Sequence, residues 1–144
     1  MSLAIITRAD FQELADVRVA EAKVLLDHGL WDGAYYLAGY AVELALKACI
    51  IKVILATDAF PEKKFSENCW THDLGKLIGL AGLGEARKAA FQADLALEVN
   101  WGTLNEWSEQ VRYRQRTTRV EARSLYNAIS DASHGVLTWI KTQW

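Results

Sequence analysis

The chain has 144 residues, of which 51% are apolar and 24% are charged, and its formal net charge at pH 7 is −2. This length suits one domain that buries a core without help from metals or disulfides, and the composition excludes a disordered or low-complexity protein. Six tryptophans are many for this length, and such large side chains stabilise cores and interfaces alike. We predict a single domain over residues 1–144 that is able to form a homodimer.

The two cysteines predict neither a disulfide nor a metal site. Cys49 lies in an apolar segment, where a small buried side chain is expected, and Cys69 has no partner at C-x-x-C spacing. The first residues, from Met1 to Ile6, carry no basic segment before their short apolar stretch, so they do not resemble a signal peptide. The sequence therefore favours a cytoplasmic protein.

The first predicted helix begins near Asp10, because Thr7 and Asp10 have the spacing of a capping box, and it ends at Gly29. The second predicted helix, Trp31–Leu55, is apolar on nearly every side and must be covered by neighbouring helices. We place this helix at the centre of a bundle.

The length of that apolar segment raises the question of a membrane span. Glu43, Lys47 and Lys52 interrupt it. Each charge at the centre of a bilayer costs about 3 kcal/mol, so a core helix is favoured over a span. Glu43 and Lys47 are also one turn apart in the order that stabilises a helical ion pair.

The following segment, from Thr57 to Trp70, contains the only proline and is predicted to be a surface loop. A short helix should start at Thr71, whose hydroxyl can cap it, with Asp73 in its first turn. Another helix is expected from about Glu85 to Val99, with alanines forming a small-residue face.

A turn and a short helix are predicted between Asn100 and Tyr113, because Gly102 breaks the apolar pattern there. The last predicted helix has apolar residues in alternating steps of four and three: Leu125, Ile129, Ala132, Val136 and Trp139. No segment alternates as a strand would. The sequence therefore predicts an all-α, up-and-down bundle of about five helices.

The most distinctive charge pattern lies in residues 112–123, where five arginines stand against one acid, Glu121, for a local charge of +4, so the rest of the chain carries −6. Clustered guanidinium groups bind phosphates, and Tyr113 and Trp107 nearby could stack on bases. Alternatively, the arginines form a solvated face or pair with acids of neighbouring helices. The arginines are Arg112, Arg114, Arg116, Arg119 and Arg123.

One such pairing would join Arg112 to Glu43, since a carboxylate on a buried helix needs a partner. Together with Lys47 and Asp73 these residues would form a structural polar network rather than a binding site. The sequence leaves this alternative open.

Signatures of enzymes are mostly missing. The glycines match no nucleotide-binding loop, and His28, His72 and His134 lie on separate elements, so we expect no metal and no cofactor. His72 next to Asp73 is the one pair of neighbouring histidine and acid, and at the start of a helix such a pair more often caps than catalyses. We lean against an enzyme.

Three stretches carry a resemblance to a known family. They are Trp31–Ala48, with the sequence WDGAYYLAGYAVELALKA, then Thr71–Leu74, and then Arg112-Tyr113 followed by Glu121-Ala122. In this combination and order the chain resembles the HEPN family, the higher eukaryotes and prokaryotes nucleotide-binding domains. The resemblance implies a helical bundle, homodimers, and binding of nucleotide or RNA, often beside a small nucleotidyltransferase in toxin–antitoxin pairs.

Many HEPN members are ribonucleases that use an arginine and a histidine four to six residues apart. Here Arg18 is too far before His28, and Arg123 is too far before His134. Our first hypothesis is therefore a non-catalytic protein that binds nucleotide, RNA or a nucleotidyltransferase. Its candidate binding residues are Arg112, Tyr113, Arg114, Arg116, Arg119 and His72.

Two alternatives remain. One is a metal-independent ribonuclease toxin with rearranged residues, in which His72 approaches Arg112 from another helix. The other is a subunit that binds only protein.

Overall fold

The computed structural model describes residues 5–144, and within that range every regular element is helical. The all-α class predicted from the sequence is confirmed. The expectation for the N-terminal segment lies largely outside the described residues, since Met1 to Ala4 are not among them. The helices are α1 (Arg8–Asp27), α2 (Trp31–Thr57), α3 (Lys63–Asn68), α4 (Leu74–Leu80), α5 (Gly84–Ala93), α6 (Leu95–Leu104), a 3₁₀ helix (Glu109–Tyr113), α7 (Arg119–Ser130) and α8 (Val136–Lys141).

Helix α2 is the centre of the bundle, as its apolar composition predicts. It packs against α1, α4, α7, α8 and the 3₁₀ helix, so nearly all of its sides are covered. Its buried residues include Val42, Leu46 and Ile50, which join one cluster with residues of the other helices. In the described range, no helix is both long and apolar enough to cross a bilayer.

Two helix starts differ in detail from the sequence prediction. The capping box at Thr7 and Asp10 is present, but α1 begins at Arg8 because Thr7 itself is the capping residue. Helix α4 is capped by Asp73, whose carboxylate accepts the N–H of Lys76 at 2.9 Å. Thr71 instead accepts the N–H of Asp73 at 3.2 Å, so it orders the turn that leads into the cap.

The predicted helix from Glu85 to Val99 is two helices. Asp94 has extended backbone angles, and its carboxylate caps α6 by accepting the N–H of Leu97 at 3.1 Å. The predicted small-residue face is wrong, because four of its five alanines are exposed and only one is half-buried. These are Ala86, Ala89, Ala93 and Ala96, with Ala90 as the half-buried one.

The predicted last helix is also interrupted, between Ser130 and Val136. Asp131 accepts the N–H groups of Ser133 and His134, which makes a tight turn in place of a helical one. A Cβ on Gly135 would lie 2.5 Å from the carbonyl oxygen of Asp131, so this turn requires glycine. Of the predicted apolar stripe, Leu125, Ile129 and Val136 are buried, whereas Ala132 lies in this turn and is exposed.

The predicted surface loop between Thr57 and Trp70 contains α3, one short helix that begins after Pro61. Both cysteines are free thiols. Cys49 is buried as predicted, and burial raises its pKa to about 11.

Candidate functional site

The arginine segment, residues 112–123, runs from the end of the 3₁₀ helix into the first turns of α7. Two anchors hold it against the N-terminal half of α2. The first is Asp32, whose carboxylate accepts the backbone N–H of buried Thr117 at 2.8 Å. Hydrogen bonding from the side chain of Thr117, and then from its backbone, lowers the pKa of Asp32, so the anchor is ionised at neutral pH.

The second anchor is Trp107, just before the 3₁₀ helix. Its indole lies against Gly39 so closely that a Cβ there would be 2.2 Å from the ring, and Tyr36 stacks on it at 6.4 Å between centroids. Only 4% of Trp107 is exposed. The prediction that Trp107 could stack on bases is therefore wrong, because the indole is buried in the core.

All five arginines of the segment are exposed, but they differ in their partners. Arg114 forms an ion pair with Glu121, and its guanidinium lies 5.3 Å from the centre of the Tyr35 ring. Arg112 lies over the Tyr113 ring at 4.9 Å, and its interaction with Tyr113 raises the pKa of the guanidinium. Tyr113 itself is 69% exposed, so this pair presents a flat, positively charged surface to solvent.

The other three arginines, Arg116, Arg119 and Arg123, have no carboxylate partner within residues 5–144. Arg119 and Arg123 are one helical turn apart and line a cleft of about 370 Å³ with Asp27 and Trp31 at the α1–α2 turn. Trp31 and the role of Arg123 in this cleft were missed from the sequence. The i, i+4 spacing of the two arginines was the available signal.

Glu43 on α2 is only 1% exposed and has two partners. Its Oε2 lies 3.3 Å from Nζ of Lys47, and both of its oxygens lie 3.1 Å from Nδ1 of His72. The predicted network therefore exists around Glu43 and Lys47, but it has other members. Asp73 caps α4, and His72 takes the place predicted for Arg112.

The position of Arg112 explains why this residue does not pair with Glu43. Arg112 interacts with Tyr36, which precedes Glu43 by seven residues, or about 10 Å along the helix axis. His72, just before α4, reaches the middle of α2 because α4 packs there. Residue spacing alone could not predict whether His72 or Arg112 would approach Glu43.

The contact with Glu43 fixes the orientation of the His72 ring. A carboxylate only accepts hydrogen bonds, so Nδ1 of His72 is the donor in this contact, which leaves Nε2 outside it. The His72 side chain is 46% exposed and lines a polar cleft of about 600 Å³ with Asn105, Ser108 and Glu109. The arrangement is that of a histidine held by a buried carboxylate and open to a ligand.

Glu109 connects this cleft with the arginine segment, because it begins the 3₁₀ helix that carries Arg112. A hydrogen bond from Gln110 lowers the pKa of Glu109, and the charges of His72 and Arg112 act in the same direction. Glu109 therefore lines the same cleft as His72 and belongs to the same 3₁₀ helix as Arg112.

One further pair of charged residues lies elsewhere. Nδ1 of His134, in the α7–α8 turn, is 2.8 Å from Oδ2 of Asp94, the cap of α6. This hydrogen bond raises the pKa of His134 and lowers that of Asp94. Forty positions separate the two residues in the chain, so this contact could not be predicted from a local pattern. Across residues 5–144, no three His, Cys, Asp or Glu side chains lie close enough to hold a metal ion.

The family model for the HEPN domain matches residues 10–142. Neither the curated proteins nor the solved structures gave a match.

Proposed function

Because the chain belongs to the HEPN domain family, we propose that it binds RNA or a nucleotide through the exposed arginines of residues 112–123. The observation that supports this most is that Arg116, Arg119 and Arg123 face solvent without a carboxylate partner in the described part of the chain. Arginines that form no ion pair are available for bidentate contacts with phosphate oxygens. Tyr113, with Arg112 above its ring, adds a surface on which a base can stack.

The test is the salt dependence of binding to a fluorescent single-stranded oligoribonucleotide, measured by anisotropy. The variant Arg112→Gln, Arg116→Gln, Arg119→Gln removes three charges of the proposed site. Each phosphate contact contributes about −0.7 to the slope of log K against log salt, so this variant should reduce the slope by about 2.

A charge-matched control is available on other elements. Lys63, Lys64 and Lys88 are exposed on α3 and α5, so their triple glutamine variant has the same net charge as the arginine variant. It should retain nearly full affinity. Absence of binding at low salt, or equal weakening by both triple variants, would contradict the proposal.

A second candidate function is metal-independent cleavage of RNA, and the contact between Glu43 and His72 is the observation that favours it. Such cleavage needs a base near the 2′-hydroxyl and a cation at the phosphate. Nε2 of His72 would accept the proton, and Arg112 would contact the phosphate. Cleavage in the presence of EDTA that disappears in His72→Ala and is weakened in Glu43→Gln would support this function over simple binding.

The family also suggests partners. Homodimers and association with a small nucleotidyltransferase in a toxin–antitoxin pair are the expected assemblies, and a subunit that binds only protein is the third candidate. A nucleotidyltransferase gene beside this one would support that association. If the chain associates with the nucleotidyltransferase but does not bind RNA, the protein-binding role is favoured.

A further inference from the structure

The C-terminal half of α2 forms one wall of an apolar cleft that has no part in the proposed function. Ile50 and Ile54 of α2 line it, with Phe11 of α1 and Phe65 of α3, and its volume is about 320 Å³. Ile54 lies eighteen residues beyond Tyr36, or about 27 Å along the helix, from the part of α2 that contacts the arginine segment. This volume is at the lower end of the range for small-molecule sites.

Among the described residues 5–144, Lys47 is the one charged residue that lines this cleft. Its side chain is only 12% exposed. Its single hydrogen bond to the described residues is the long one to Glu43, 3.3 Å, and both oxygens of Glu43 are also shared with His72. An ammonium group has three donors, so Lys47 retains unused donors in a largely dry environment.

The charge of Lys47 acts on the cleft itself. Burial raises the pKa of the Cys69 thiol, and the positive charge of Lys47 opposes this effect. Cys69 lines the same cleft, so the ammonium lies within electrostatic range of its wall. The cleft therefore combines an apolar interior with one cation at its edge.

We propose that this cleft binds a small amphiphilic anion, a monocarboxylate of about eight to ten carbons in all, with the carboxylate on Lys47. The apolar walls favour the body of such a ligand, and a carboxylate supplies the acceptors that the Lys47 donors lack. An amine of the same length would meet a like charge. An alcohol would gain the apolar contacts but only a neutral hydrogen bond.

Three probes of equal chain length separate the apolar contacts from the interaction of the head group with Lys47. They are octanoate, 1-octanol and octylammonium, each titrated by calorimetry into the full chain. Octanoate should bind with a stoichiometry of one and about tenfold or more tighter than 1-octanol, because its hydrogen bond is charge-assisted. Octylammonium should bind most weakly. Equal affinities for the three probes would overturn the proposal.

Two variants locate the site. In Lys47→Met the affinity for octanoate should fall to that for 1-octanol, whereas in Ile54→Trp, which fills the cleft, all three probes should lose measurable binding. Val99→Trp adds the same side chain at an exposed position of α6 and should bind octanoate as the unmodified chain does. Circular dichroism checks that each variant is folded.

The other possible occupant is a second copy of the chain. If octanoate does not bind and Ile54→Trp converts a dimer into a monomer in sedimentation experiments, the cleft is a subunit interface and the proposal is wrong. Unchanged octanoate binding in folded Ile54→Trp would also overturn it, because the probe would then bind elsewhere.

Discussion

Glu43 and Thr117 are the buried polar residues within the described range, and they act in different ways. The backbone N–H of Thr117 is bonded to Asp32, whereas Glu43 brings a carboxylate into the centre of the bundle and needs both Lys47 and His72 to compensate for lost hydration. The sequence predicted that Glu43 requires a partner, because an unpaired buried charge is costly. It could not identify His72, since that depends on how α4 packs.

Replacing Glu43 tests this compensation. Glu43→Ala leaves Lys47 without its carboxylate in a largely buried position, so we expect the free energy of unfolding to fall by about 3 kcal/mol. Glu43→Gln retains an acceptor for both partners and should cost less. Urea unfolding followed by circular dichroism measures both values. An alanine variant as stable as the unmodified chain would show that the network has no structural role.

The pair of His134 and Asp94 makes stability depend on pH. The pKa of His134 is raised above its ordinary value of 6.5, so this residue stabilises the fold below pH 6.5 and loses that effect as the pH rises through the folded pKa. The pKa of Asp94 is lowered below 3.8, so its effect is present above pH 3.8 and is lost as the pH falls through its folded pKa. The pair therefore contributes most between these two values.

Asp94→Asn isolates this effect, because asparagine still caps α6 but carries no charge. The titration midpoint of the His134 ring, measured by nuclear magnetic resonance, should fall toward 6.5 in the variant. The stability lost between mildly acidic and mildly basic pH should become smaller. A midpoint that does not move would show that another group sets the pKa of His134.

At the scale of elements, the start of α7 is a defined cap. Thr118 accepts the N–H of Glu121 at 3.1 Å, and the carboxylate of Glu121 interacts in return with Thr118 while it also pairs with Arg114. One residue therefore both caps the helix and holds part of the arginine segment.

Thr118→Ala removes the hydroxyl of that cap and should lower the free energy of unfolding by about 1 kcal/mol. Ser124→Ala is a matched control, because Ser124 is exposed on the same helix, and its effect should stay within about 0.5 kcal/mol. The urea midpoint at constant slope gives both values. Equal effects of the two substitutions would argue against a cap at Thr118.

Whether a helix could be predicted from the sequence depends on what stabilises it. The apolar composition of α2 made that helix clear, and the capping box at Thr7 placed the start of α1 within two residues. The breaks at Asp94 and Gly135 were missed although their causes are local. Asp94 caps α6 at Leu97, and Asp131 accepts the N–H of His134 in the turn that ends at Gly135. Apolar periodicity continues across both breaks and cannot reveal them.

On the scale of the whole molecule, the arginine segment, the Glu43 network and the apolar cleft follow one another along α2. The sequence indicated the first two as candidates, since charge and motif are local properties. The cleft depends on α1, α2 and α3 together, so no single segment of the sequence predicted it.

The dependence of the other helices on α2 has a consequence for unfolding. Without α2 the other helices cannot form the hydrophobic cluster that contains Leu46, because residues of α2 lie at its centre. We expect one cooperative transition in urea, with coincident curves from far-ultraviolet circular dichroism and tryptophan fluorescence. Curves with separate midpoints would show that part of the bundle unfolds independently.

The contact between Gly39 and Trp107 restricts how this sequence can change over generations. Any side chain at position 39 meets the indole, and a smaller residue at position 107 leaves a cavity beside α2. Either substitution alone is unfavourable, whereas a larger residue at 39 with a smaller one at 107 can restore the packing. In related chains the two positions should therefore vary as a pair.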